Sequence, residues 1–321
     1  TPPFAMDNAI ANNAWMSDTD DKVDRMTAME EWLRLYKDLS SIGMVYLTPT
    51  HPKLQDQTYT SNGIWVVEHD RRYCLMPNFR VEGRKRNDDL GIPGENAVNG
   101  PFMKMLGYNV VYMPEYTEDG EPIYFEGSAD IKLINAENPH ACVYVCGVGV
   151  RTNEAGRMWI ENWLNEIDED PNSAHRVIGY PQKDVDCYHA DCVCLPCDSK
   201  HTILYTKNLD ENVLAEIKKY TEVIPVEDED IAKAGVCNVI VAGGTMFANS
   251  DINLLEGSEY VEDYEIEKKK IAFQQMVCNK LGLNLSIYCM SQNILNGACI
   301  SCNCDNVGYS LLKDYAWYYK Y

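Results

Sequence analysis

Near the end of the chain three cysteines follow a small-residue turn, Asn296-Gly297-Ala298-Cys299-Ile300-Ser301-Cys302-Asn303-Cys304. A thiolate is a strong nucleophile, and hydrogen-bond donors beside it lower a thiol's pKa enough to populate it near pH 7. The same thiols are soft ligands, so Cys299, Cys302 and Cys304 could converge with Cys192, Cys194 and Cys197 on zinc or an iron–sulfur cluster. In a strand, however, Cys192 and Cys194 fall on one face as small buried hydrophobes. That reading, with no metal and no other cofactor, is preferred here. Just before them, Tyr188-His189-Ala190-Asp191 puts an imidazole and a carboxylate on one side of an extended segment. The pair could move protons near neutral pH or could be a structural histidine with its partner.

Three further clusters carry polar groups. In Phe125-Glu126-Gly127-Ser128-Ala129-Asp130, Glu126 and Asp130 flank small residues that let a ligand approach the backbone. Such a carboxylate pair suits a guanidinium fork, or is a solvated turn. Asp56 to Asn62 ends in Tyr59-Thr60-Ser61-Asn62-Gly63, which by itself is a turn entering a strand. Arg151, in Gly149-Val150-Arg151-Thr152-Asn153, stands at a strand's end, where a guanidinium can grip a carboxylate with two hydrogen bonds or lie on the surface.

The 28 Lys plus Arg against 49 Asp plus Glu give the 321-residue chain a formal charge of −21. Such a surface repels the phosphates of nucleic acid and of anionic lipid, so neither is expected as a partner. It welcomes a small cationic substrate and serves equally as plain solubility. No run approaches the roughly 20 apolar residues of a membrane helix. The first residues lack a basic start followed by an apolar stretch, so a soluble, cytoplasmic protein is expected. The odd number of cysteines, 13, fits reduced thiols better than a disulfide scaffold.

The elements that must hold these clusters alternate. Apolar residues at three- and four-residue spacing predict a helix over 23–39, entered from an Asp/Ser/Thr-rich cap at 17–21. Helical periodicity returns at 154–167, 211–220 and 265–281, with Gly282 placed to stop the last. Short apolar runs at 44–47, 63–67, 73–76, 109–113, 131–134 and 141–146 predict buried strands. An α/β architecture follows. Its elements recur about every 50 to 60 residues, which suits repeated small modules better than one doubly wound sheet. With no linker-like stretch, one compact domain over residues 1–321 is expected.

Taken in order, Pro2-Pro3, Asn13-Ala14-Trp15-Met16, Tyr59 to Gly63, Phe79-Arg80, Phe125 to Asp130, Gly147 to Asn153, Tyr188 to Asp191 and Met290 to Cys302 resemble the amidinotransferase and guanidine-hydrolase (pentein) superfamily. Its members include arginine deiminase, dimethylarginine dimethylaminohydrolase and arginine dihydrolase. The resemblance implies a five-bladed α/β propeller of repeated ββαβ modules around a polar channel. It implies that Cys302 is the nucleophile, His189 the general acid/base, and Glu126 the carboxylate holding two guanidinium nitrogens. Asp130 and Asp191 match further acidic positions. Asp56 and Asn62 match the pair at the substrate's guanidinium end, Arg151 the clamp for its α-carboxylate, and Asn13 an Asn of the arginine dihydrolase branch. Asn62, where deiminases and dimethylargininases carry Asp, tilts the resemblance to that branch. Departures are Ala14 for Pro, Ser128-Ala129 for Ala-Gly or Gly-Gly, Ala190 for Leu, and Asn303-Cys304 for Leu-Thr or Met-Thr.

The implied activity is hydrolysis of the guanidinium of arginine or a methylated arginine, through a covalent thiouronium and without metal or cofactor, with a homodimer as the assembly to test for. Two alternatives stand beside it. One is an amidinotransferase passing the amidino group to an amine. The other is a non-catalytic propeller, as in a ribosome anti-association factor, which has no need of Cys302, His189 and Glu126 together.

Overall fold

A strand with apolar residues on both faces needs cover on both, and its parallel neighbour must be reached by a crossover. Val143–Val148 meets both demands in the computed structural model, which describes residues 1–17, 21–68 and 72–305. It pairs antiparallel with Ile131–Asn135 and parallel with Arg176–Pro181, Val143 opposite Arg176 and Val148 opposite Pro181. Helix Glu154–Ile167 makes the crossover. Asn153 caps its N-terminus by accepting from the Gly156 N–H, and its buried stripe is Gly156, Ile160, Trp163 and Leu164.

The same ββαβ arrangement occurs four times among the described residues. Trp65–Glu68, Arg72–Met76 and Asn109–Tyr112 form the first sheet, with helix Asn96–Met105 as crossover. The Val143–Val148 sheet is the second. Cys194–Pro196, His201–Tyr205 and Glu222–Val226 form the third, with helix Glu211–Ile217. Ile240–Ala242, Thr245–Asn249 and Asn284–Tyr288 form the fourth, with helix Val261–Leu281. Gly282 stops that helix at φ 70°. Gly243 and Gly244, at φ 55° and 72°, turn the fourth hairpin as a two-residue loop with both residues left-handed should. One apolar cluster joins the first two sheets through Trp65, Phe125, Tyr144 and Trp163. Another runs from the second sheet through the third and fourth. Among the described residues no helix is long and apolar enough to cross a membrane.

Several expectations change. Residues 44–47 form no strand: Met44, Tyr46 and Leu47 are exposed. The run leads away from helix Arg25–Ile42 instead of pairing. That helix is capped by Asp24, which accepts from the Met26 and Thr27 N–H groups. The expected cap at 17–21 lies partly outside the described residues. Asp191 and Cys192 belong to the short helix Ala190–Val193, with the strand starting only at Cys194. The same-face argument for His189 with Asp191, and for Cys192 with Cys194, therefore fails.

The two ends of the chain meet at Glu31. Its buried carboxylate, on helix Arg25–Ile42, accepts from the Ser291 N–H (2.9 Å), the Ser291 hydroxyl (2.6 Å) and the Gln292 N–H (3.2 Å), closing the N-terminus of helix Ser291–Leu295. Glu31→Ala strands these donors. It should lower unfolding free energy by about 1–3 kcal/mol, read as a reduced urea midpoint at unchanged slope.

Candidate active site

Just before the first strand of each sheet the chain makes a tight turn, and those turns face one another. Ser128 N–H donates to the Ile64 carbonyl (2.9 Å), and Ala190 N–H to Asp130 Oδ1 (3.3 Å). Ser301 Oγ donates to Asp191 Oδ2 (3.0 Å), and Ser61 Oγ to the Cys302 carbonyl (3.3 Å). The ring so closed brings Asn62, Glu126, His189 and Cys302 from distant parts of the chain to the wall of one cavity. Gly127 permits the tightest approach. At φ 63°, a Cβ there would lie 2.6–2.7 Å from the carbonyl oxygens of Ser61, Asn62 and Ile64.

Cys302, His189 and Glu126 are 3%, 2% and 1% exposed, so water competes little for their hydrogen bonds. His189 Nε2 lies 2.6 Å from Glu126 Oε2, and Arg151 donates to Oε1 at 3.2 Å. Burial would raise the Glu126 carboxyl, but Arg151 and His189 outweigh it and hold it at about 2. The Arg151 guanidinium also donates to the Asn12 carbonyl at 2.5 Å and lies over the Tyr188 ring, 4.8 Å from its centroid. Asn62 Nδ2 rests against the imidazole, 3.4 and 3.5 Å from its two nitrogens.

The Cys302 thiol faces Asp191 Oδ2 at 3.5 Å. Burial, then that carboxylate, push its pKa well above the ordinary value, so the resting sulfur keeps its proton. Asp56 accepts from Asn12 and is raised by burial against the pull of Arg84. Arg84 is itself buried in a two-oxygen ion pair with Glu95, whose carboxyl burial lifts to about 7. The inner cavity is small, about 20 Å³, room for roughly one water. An outer vestibule of about 320 Å³, lined by Ala14, Arg80, Val81, Val150 and Val185, adjoins it. Arg151, Tyr188, Asn12 and Asn13 line both.

No family model matches the chain, and no curated protein matches it by sequence. Solved structures do. The N-terminal domain of ArgZ, an arginine dihydrolase from the ornithine–ammonia cycle in cyanobacteria, bound to product, matches with a TM-score of 0.73 at 18% identity, covering 97% of either chain. A variant of that domain covalently bound to a reaction intermediate matches at 0.71 and 18%, covering 94% of either chain. A dimethylarginine dimethylaminohydrolase adduct with S-methyl-L-thiocitrulline matches at 0.66 and 13%, covering 94% of this chain and 95% of that one. The chain has the mixed α/β fold of the pentein enzymes.

Within this pentein fold the residues singled out by sequence fall into two groups. Asn13, Asp56, Asn62, Glu126, Arg151, His189 and Cys302 line the inner cavity. Asp130 and Asp191 stand behind it. Asp130 accepts from the Thr152 hydroxyl (2.5 Å) and the Ala190 N–H, fixing the backbone after His189, while Asp191 accepts from Ser301. Asn13 accepts from the Met16 N–H and donates to the Asn296 carbonyl, tying the N-terminal turn to the cysteine turn. Sequence reasoning missed Asn12, Arg84 and Glu95. It also missed Asn238, whose amide lies 3.5 Å from the Cys302 sulfur. Of these, Asn12, directly before Asn13-Ala14-Trp15-Met16, and Arg84, close after Phe79-Arg80, stood near quoted motifs.

Burial raises Asp130 from 3.8 to about 6. A carboxyl raised in the folded state costs nothing below pH 3.8, where it is neutral folded and unfolded. It opposes folding increasingly as pH climbs to about 6. Asp130→Asn keeps both hydrogen bonds available. Its stability relative to wild type should therefore rise between pH 4 and 6, measured by urea unfolding across that window.

Proposed function

We propose that the chain is a cysteine-dependent hydrolase of the guanidinium group of arginine or a methylated arginine. It acts as one amidinotransferase-like domain over residues 1–321, on a five-bladed α/β propeller. Four ββαβ units support the propeller, as does a hydrogen-bonded ring joining the turns before the first three sheets with the cysteine turn, to which the turn before the fourth sheet is tied through Asn238. One observation carries the chemistry: beside Cys302 and His189, the carboxylate Glu126 already pairs with a guanidinium, that of Arg151, over an aromatic face. The ArgZ and dimethylarginine dimethylaminohydrolase structures, which share the fold, are named for guanidine chemistry, one with a covalent intermediate.

In this reading the substrate's guanidinium replaces that of Arg151 on Glu126, and Arg151 swings towards the outer vestibule to meet the substrate's α-carboxylate. Asp56 and Asn62 complete the planar cradle, so the carbon is presented to Cys302 in a fixed orientation. The Cys302 thiol gives up its proton to His189 as the sulfur adds to that carbon, His189 passes the proton to the departing nitrogen, and the tetrahedral adduct breaks its C–N bond to release ammonia or a methylamine and leave a thiouronium. His189 then takes a proton from water, the hydroxide adds to the same carbon, and the C–S bond breaks to return the thiol. Carboxylates around a group that remains cationic through these steps stabilise the intermediate as well as the substrate.

Mass spectrometry of products from arginine, dimethylarginine and agmatine tests the proposal. Wild type should convert arginine to ornithine, ammonia and carbon dioxide by two rounds of hydrolysis, as Asn62 favours, and Cys302→Ser should be at least about 10³-fold slower. Citrulline as end product would keep the hydrolase and remove the second round. Amidino transfer to an added amine would replace hydrolase by transferase. No turnover of any guanidine by folded protein would sink the reading.

The clamp has its own test. Arg151→Met should cut kcat/KM for arginine by on the order of 10²-fold and that for agmatine, which lacks the carboxylate, far less. Equal losses would confine Arg151 to its place beside Glu126.

A further inference from the structure

Asn238 belongs to none of the motifs in which the chain resembles guanidine-modifying enzymes, yet its side chain reaches the sulfur. It sits just before the first strand of the fourth sheet, Ile240–Ala242, the position from which the other sheets supply Asn62, Asp130 and Asp191. Its loop is held rigidly. Gly235 turns it at φ 78°, where a Cβ would lie 2.9 Å from the Cys299 sulfur. Buried Lys270 and Gln274, on helix Val261–Leu281, donate to the carbonyls of Ala234 and Val236.

The backbone sets which way the amide faces. Ser301 N–H can only donate and lies 3.2 Å from Asn238 Oδ1, so the atom there is the carbonyl oxygen, and the NH2 lies 3.5 Å from Cys302 Sγ with the oxygen 3.7 Å from the same sulfur. The Ser301 hydroxyl, 2.7 Å from that oxygen and 3.0 Å from Asp191 Oδ2, has one proton to give to either. On the sulfur's other flank stands the Asp191 carboxylate. An S–H can donate to that carboxylate, whereas a thiolate is repelled by it and needs a donor.

We infer that Asn238 is a further catalytic residue, donating an N–H to the Cys302 sulfur and stabilising the negative charge there once the thiol proton has gone. The inference rests on Cys302 as nucleophile. The ionisable groups around the sulfur are Asp191, Cys192, Cys299, Tyr59 and Tyr188, with His189 on the same cavity wall. The carboxylate and the buried thiols hold the proton on sulfur. The Cys299 backbone and the Asn238 amide act in the opposite sense. Ser301, bonded to both Asp191 and Asn238, keeps the two apart and the donor aimed.

The test reads the thiol without turnover. The full chain is alkylated with iodoacetamide from pH 6 to 10, and the Cys302 adduct is quantified by tandem mass spectrometry. The reaction breaks S–H, forms S–C, expels iodide and gives the proton to buffer. Across that window, which lies below the raised pKa, the rate follows the thiolate fraction, and Asn238→Ala should displace the log rate against pH by about one unit, so that Cys302 is alkylated about tenfold more slowly at a given pH. Asn238→Asp, which adds a carboxylate, should displace it further, and Ser301→Ala, which frees the amide to turn, should displace it less in the same direction. A folded Asn238→Ala whose profile overlays that of wild type overturns the inference. If Asn238→Ala does not fold, undisplaced profiles for the other two variants overturn it. A displaced profile in a protein that turns over no guanidine would leave Asn238 in place and remove the proposed function instead.

Discussion

A carboxylate with almost no exposed surface stays charged only among groups that replace its water, and the arrangement of Glu126 follows from that demand. One oxygen meets Arg151 and the other His189, and the three side chains come from the turn before the second sheet, the loop after its middle strand and the turn before the third sheet. Removing Arg151 leaves the buried carboxylate with the imidazole alone, a larger loss than the pair itself is worth. The pairing therefore specifies the relative position of three chain segments as strongly as an apolar contact does. It also presets the site: whatever displaces Arg151 from Glu126 must itself bring a delocalised cation.

The fold supplies such constraints by repetition. Each ββαβ unit leaves its first strand's N-terminal turn free to face the others, and backbone amides and small hydroxyls link one turn to the next. A catalytic constellation can thus be assembled from residues more than a hundred positions apart with each side chain held by its own rigid unit, which short-range flexibility cannot blur. Glycine at 127 and 297 is part of that closeness, because both positions have positive φ and neighbours within 2.8 Å of where a Cβ would stand.

This division explains what could be read from the sequence. Cysteine, histidine and paired carboxylates carry chemistry in their type, so Cys302, His189, Glu126 and Asp130 stood out before their positions were known, whereas Asp56 read by itself as part of a turn. The helices at 154–167 and 265–281 were legible because amphipathic periodicity and Gly282 are local signals, and five of the predicted strands lie within two residues of observed ones. Asn238 and Asn12 were not legible, since an asparagine in an ordinary loop gains meaning only from what the fold sets beside it. The fourth hairpin did leave a signal in Gly243-Gly244 that the reading did not use. The run at 44–47 misled because apolar content is taken for burial, and no neighbouring strand was there to receive it.

The charge of the molecule acts at two scales. The acidic surface draws a cation towards the protein without choosing among cations. Selection falls to the interior, where Asp56, Glu95 and Glu126 face Arg84 and Arg151. Burial lifts the Glu95 carboxyl to about 7, while Arg151 and His189 hold that of Glu126 at about 2 against burial. In the proposed reaction Asp191 and Asn238 contact the sulfur while Glu126 holds the guanidinium, so the two can be tuned by different residues.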